Sequence, residues 1–95
     1  MKNNFERYEE AAELLKAIAH PIRLCIVKGL SEKGPCNVTH MYDCLDIPQS
    51  TVSQHIAKLK SAGIIKGHRR GTEIDYELCS EKVALIAKLL ISELS

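Results

Sequence analysis

The sequence predicts a small, mostly helical α+β domain in the order ααααββα, with two antiparallel strands forming a hairpin ahead of a closing helix. Three observations predict it. Apolar residues recur at helical spacing from Phe5 to Leu59. The period changes to two after Gly63, and helical spacing returns after Ser80. A chain of 95 residues leaves room for a single hydrophobic core, so residues 1–95 are expected to form one domain.

Each element has its own sequence reasons. Phe5, Tyr8, Ala11, Ala12, Leu14, Leu15 and Ile18 keep the i, i+3, i+4 spacing of a first helix over 5–18. Glu6, Glu9, Glu10 and Glu13 crowd its early turns, where acids favour the helix dipole. His20-Pro21 ends it, and Pro21 suits the first position of a second helix because an N–H there would have no partner anyway. Ile22, Ile26, Val27 and Leu30 give that helix its apolar stripe, and Ser31 to Pro35 is a connector. A short third helix is expected from Thr39 to Leu45, capped by Asn37 or Thr39, with Val38, Met41, Tyr42 and Leu45 inward. Asp46-Ile47-Pro48 is a tight link, since the residue before a proline is pushed out of helical conformation. The fourth helix runs from Gln49 to Ala62 on a Val52/Ile56/Leu59 stripe and stops at Gly63.

Ile65–His68 and Ile74–Leu78 read as strands, with His68 to Thr72 as a basic hairpin tip. The last helix, Ser80 to Leu94, carries Val83, Ile86, Ala87, Leu89, Leu90, Ile91 and Leu94. They cover more than half its circumference, which one small core cannot absorb. The first and last helices are therefore expected to join two copies, through Phe5, Tyr8, Leu15, Ile86, Leu90 and Leu94.

The formal net charge of +1 hides an uneven distribution. Residues 49–72 carry Lys58, Lys60, Lys66, Arg69 and Arg70 and no acid, whereas the flanking segments carry the acids. Such a stretch is what a phosphate-binding surface requires. The element order is that of a winged helix-turn-helix, in which the second helix of the turn motif enters the major groove of DNA. Here that helix presents Gln49, Ser50, Ser53, Gln54 and Lys58 away from its apolar stripe, with Thr51 and His55 on the flank. Gln can bond adenine through two contacts, and hydroxyls suit base edges or phosphates. A histidine on a helix flank more often packs than reads a base. Arg69, Arg70 and Thr72 at the hairpin tip are placed to reach the backbone or the adjacent minor groove.

The blocks Leu14-Leu15-Lys16-Ala17-Ile18-Ala19-His20-Pro21-Ile22-Arg23-Leu24 and Pro48-Gln49-Ser50-Thr51-Val52-Ser53-Gln54-His55, followed by the Arg-Arg-Gly wing, resemble the ArsR/SmtB family of bacterial winged-helix repressors. The resemblance covers nearly the whole chain. It implies a cytoplasmic homodimer that binds a palindromic double-stranded DNA operator and represses transcription. Members of the family commonly release DNA when a metal or oxidant binds, and the known sensor patterns are missing here. The arsenic and cadmium site needs Cys-x-Cys where this chain has Asn37-Val38-Thr39. The zinc site of the last helix needs histidines, and residues 80–95 contain none. The persulfide-sensing cysteines match Lys28 and Ser95. The chain is thus similar to the branch of the family without the known metal ligands, and no metal or cofactor is expected.

Cys25, Cys36, Cys44 and Cys79 remain. Small buried thiols are their commoner fate in a reducing cytosol, with Cys25 the most inert. A metal- or thiol-redox-responsive repressor using Cys36, Cys44 and Cys79 is one alternative. Cys36, His40 and Cys44 share an i, i+4, i+8 spacing, but Cys36 falls before the expected helix start. Cys36, in a Gly-Pro loop, and Cys79, at a strand end, are the thiols expected to be exposed. A winged-helix module that binds protein is the other alternative. No phosphate loop, nucleophile motif or carboxylate pair marks an enzyme or a small-molecule substrate. No apolar run reaches membrane-spanning length, and the N-terminus lacks a signal-peptide core.

Overall fold

A computed structural model describes residues 4–37 and 46–91. Helix α1 spans Asn4–Ile18 and α2 spans Pro21–Lys33. The strand β1, Cys36–Asn37, precedes α3, Gln49–Ser61. The hairpin strands are β2, Ile65–Arg70, and β3, Glu73–Leu78, and α4 is Glu81–Ile91. The expected short helix at 39–45 lies outside the described residues.

Local chemistry fixes the boundaries. Pro21 opens α2, and His20 caps it by accepting the Ile22 N–H on Nδ1 at 3.1 Å. Helix α3 ends in a Schellman motif: the Gly63 N–H reaches Lys60 O at 3.0 Å and the Ile64 N–H reaches Leu59 O at 3.0 Å. Gly63 adopts φ +76°, which carries no steric penalty for glycine, and Ile64 and Leu59, the apolar pair of that motif, are both fully buried. Ser80 Oγ accepts the Val83 N–H at 3.2 Å and starts α4.

The hairpin is longer than its sequence suggests. Arg69 and Arg70 belong to β2, with Arg70 paired to Glu73, so the turn is only Gly71-Thr72. Gly71 has φ +66° while Thr72 does not have positive φ, the pattern of a type II′ turn that suits strand twist. Opposite Tyr76, Gly67 leaves room for the ring, since a Cβ there would lie 3.2 Å from Tyr76 Cε1 and 3.0 Å from Ile74 Cγ2.

The expected two-stranded wing gains a third strand. Cys36 and Asn37 pair antiparallel with Tyr76 and Asp75, giving the order β1-β3-β2. Asn37 is therefore a strand residue, and the helix it was expected to cap lies outside the described residues. Cys36, expected in an exposed loop, is half-buried against the core.

The core gathers one stripe from each element: Ile18 of α1, Ile26, Val27 and Leu30 of α2, Val52, Ile56 and Leu59 of α3, Ile64, Ile65 and Tyr76 around the hairpin, and Val83 and Ala87 of α4. Among the described residues no charged or polar side chain is buried with it. Cys25 departs from expectation, lying exposed on the flank of α2 opposite the inward Ile26/Val27/Leu30 stripe. Phe5, Tyr8, Leu15, Leu85, Leu89 and Leu90 stay outside the core, with Phe5, Tyr8 and Leu90 being 70%, 73% and 63% exposed. Ile86, expected at a dimer surface, packs instead on the protomer's own core, and Leu85 and Leu89 face outward. Leu94 lies outside the described residues.

Candidate nucleic-acid interface

Helix α3 is held by one face and open on the other. Val52, Ile56 and Leu59 anchor it, while Gln49, Ser50, Ser53, Gln54 and Lys58 are exposed along consecutive turns. Thr51 is half-buried beside them. Pro48 precedes the helix without a side-chain cap. The first N–H groups of α3 are thus not satisfied by a capping side chain, and such groups favour an anion. Asp46, at φ +54°, turns the chain into this helix, a conformation that Asp tolerates better than most residues.

His55 is placed differently from its neighbours. Its ring lies 4.2 Å from the His20 ring, tilted by 42°. Its Nδ1 accepts from Arg23 Nε at 3.1 Å, and Arg23 Nη1 donates to the Ala17 carbonyl at 3.0 Å. Partial burial, reinforced by His20 and Arg23, pushes the His55 imidazole below its ordinary pKa. The sequence identified His20 as a break and His55 as a flank residue; their pairing across 35 positions has no local signature.

The wing separates its charges by face. Lys66, His68 and Arg70 stand opposite Glu77, Asp75 and Glu73 in the strand register. Arg70 binds Asp75 through Nε at 2.9 Å and Nη2 at 3.2 Å, and reaches Glu73 at 3.3 Å. Glu77 Oε1 meets His68 Nε2 at 2.8 Å and Lys66 Nζ at 3.7 Å. The hydrogen bond from Arg70 holds the Asp75 carboxyl below its usual range, and that from His68 does the same for Glu77. Arg69 lies opposite Ile74, on the other face of the hairpin. Among the described residues Arg69, Lys58 and Lys60 make no ion pair. Thr72 is exposed at the turn.

Of the expected sensor residues, Cys79 is exposed just after β3, while His40 and Cys44 lie outside the described residues. Among the described residues no group of His, Cys, Asp or Glu gathers as a metal site, and no helix is long and apolar enough to cross a membrane.

Residues 18–68 match a helix-turn-helix domain family. The chain is 45% identical over 89 residues to the transcriptional repressor PagR of Bacillus anthracis, covering 94% of this chain and 89% of PagR. The crystal structure of PagR superposes with a TM-score of 0.82, covering 92% of this chain and 99% of that one. The HTH-type transcriptional repressor SmtB of Mycobacterium tuberculosis is 43% identical over 81 residues, 85% of this chain and 59% of SmtB. The crystal structure of the transcriptional repressor BigR from Xylella fastidiosa is 33% identical, with a TM-score of 0.86 over 95% of this chain and 91% of BigR.

Proposed function

The chain belongs to the ArsR/SmtB family of winged helix-turn-helix transcriptional regulators, a family of DNA-binding proteins and not of enzymes, and from that premise we propose how it engages an operator. Helix α3 enters the major groove and reads base edges through Ser50, Thr51 and Gln54, with Gln49, Ser53 and Lys58 on the flanking backbone. Arg69 supplies the wing's free charge to the phosphates or the minor groove, beside Thr72. Arg70 shares the tip but brings a guanidinium already offset by Asp75 and Glu73.

The observation that carries this reading is the exposed Ser/Gln row on a helix whose opposite face is locked into the core. The uncovered apolar faces of α1 and α4 support a homodimer. Phe5, Tyr8, Leu15 and Leu90 form its surface together with Leu85 and Leu89. A two-fold pair of reading helices then matches an inverted repeat with half-site centres roughly 34 Å apart. The relatives are named as transcriptional repressors, and repression follows from occupying such a site. A protein-binding winged helix or a metal- or thiol-responsive repressor gains no support from those names.

Selection of bound duplexes from a random pool tests the reading. An inverted repeat is expected to emerge, bound with steep salt dependence. Failure of any sequence to enrich at low salt would instead favour a protein-binding module. For the assembly, Leu90→Glu is expected to give monomer or unfolded chain by sedimentation and circular dichroism. A folded Leu90→Glu dimer contradicts the proposed interface.

A further inference from the structure

The contact between α2 and the recognition helix is polar at one place only among the described side-chain hydrogen bonds, and there it depends on a neutral histidine. We propose that Arg23 and His20 are positioning residues for DNA reading, latching the His55 imidazole so that sequence discrimination by α3 is lost when that imidazole takes up a proton. The inference rests on α3 being the DNA-reading helix.

The geometry sets the proton inventory. His55 Nδ1 accepts from Arg23 Nε, so its single proton sits on Nε2. His20 Nδ1 is occupied in the same way by the Ile22 N–H. Arg23 is itself fixed at its other end by the Ala17 carbonyl. One guanidinium thus ties the end of α1, the start of α2 and the middle of α3 together. His55 lies one turn beyond Thr51 and next to Gln54, so the ring's position sets the rotation of the reading face.

Protonated imidazole has two donors and no acceptor. A proton on His55 would set its N–H against the Arg23 N–H and its charge against a guanidinium that cannot deprotonate. Among the described residues no carboxylate pairs with His55 to offset that charge. It is faced by His20, the cap of α2, and by Arg23 of α2, whose other end is held by the Ala17 carbonyl of α1. Lys58 lies one turn on along α3. Lys58 and Arg23 border a groove whose α1 wall carries Glu6, Glu9, Glu10, Glu13 and Lys16.

The sign distinguishes the latch from general electrostatics. An extra positive charge near DNA strengthens binding to every duplex as pH falls. A broken latch weakens the selected site relative to random DNA. The readout is therefore the ratio of Kd on random duplex to Kd on the selected duplex, measured from about pH 7.5 to about pH 5.5. The wild-type ratio is expected to fall about tenfold, the scale of one hydrogen bond to a charged group. Arg23→Met should show the low ratio already at the higher pH and change little on acidification. Long-range proton–nitrogen NMR spectra of the wild type give a second measure that needs no variant, with His55 expected as the Nε2–H tautomer. A ratio that stays flat with pH while the selected duplex is still bound, or an Nδ1–H tautomer at His55, overturns the latch alone. Absence of any selective duplex binding at any pH overturns it together with the DNA-reading role of α3.

Discussion

Helix α3 and the wing draw their cations from the same acid-free stretch of sequence, yet the fold treats them in opposite ways. On α3, Lys58 and Lys60 extend without an ion-pair partner among the described residues. On the wing, β3 returns Glu73, Asp75 and Glu77 directly opposite Arg70, His68 and Lys66, and only Arg69 is left over. Charge counted along a chain is therefore not the charge a ligand meets. An antiparallel partner strand can cancel a basic run because residues distant in sequence share a face. In the proposed complex the field available to phosphates centres on the helix and on one arginine of the wing.

That contrast divides sequence reading from backbone attraction, and substitutions can test the division. The largest effect is expected from the helix. Gln54→Ala should cost about 1–3 kcal/mol of discrimination at one base pair, if its amide makes the two-contact bond to adenine, and leave the salt slope unchanged. Competition against single-base variants of the selected duplex measures it. A uniform loss on all variants would place Gln54 on the backbone instead. A smaller effect is expected at the wing, where the paired charges are screened by solvent. Asp75→Asn removes an acid and releases Arg70, so binding to every duplex should tighten and the salt dependence steepen. No change in affinity would mean that the paired face never approaches the phosphates.

Much of this architecture was legible because its causes are local. Pro21 at a helix start, the Val52/Ile56/Leu59 stripe and the Gly63 stop all act within a turn or two of chain. The exposed Ser/Gln row follows from the same stripe, because locking one face of a helix defines the other. What escaped depends on partners far away. The two residues of β1 are too short to show a period, and their strand identity comes entirely from Tyr76 and Asp75. Arg69 and Arg70 read as loop residues because a basic pair has little strand preference, whereas Ile74 and Glu73 across the ladder extend the hairpin to Gly71. On α4 the apolar residues outnumber the available core, so composition could not say which would turn outward. Packing selected Val83, Ile86 and Ala87 and left Leu85, Leu89 and Leu90 outside. The Arg23–His55 bond joins two helices 32 positions apart and carries no motif of its own.

The division between free and offset charge is tested most directly by the salt dependence of duplex binding for Arg69→Ala and Arg70→Ala, measured side by side with the unaltered protein. Each substitution removes one positive charge, so a count along the sequence predicts the same result for both. The structure predicts that Arg69→Ala lowers the slope of log affinity against log salt by about one, while Arg70→Ala lowers it by clearly less. Equal slopes, or the larger change at Arg70, would contradict the account.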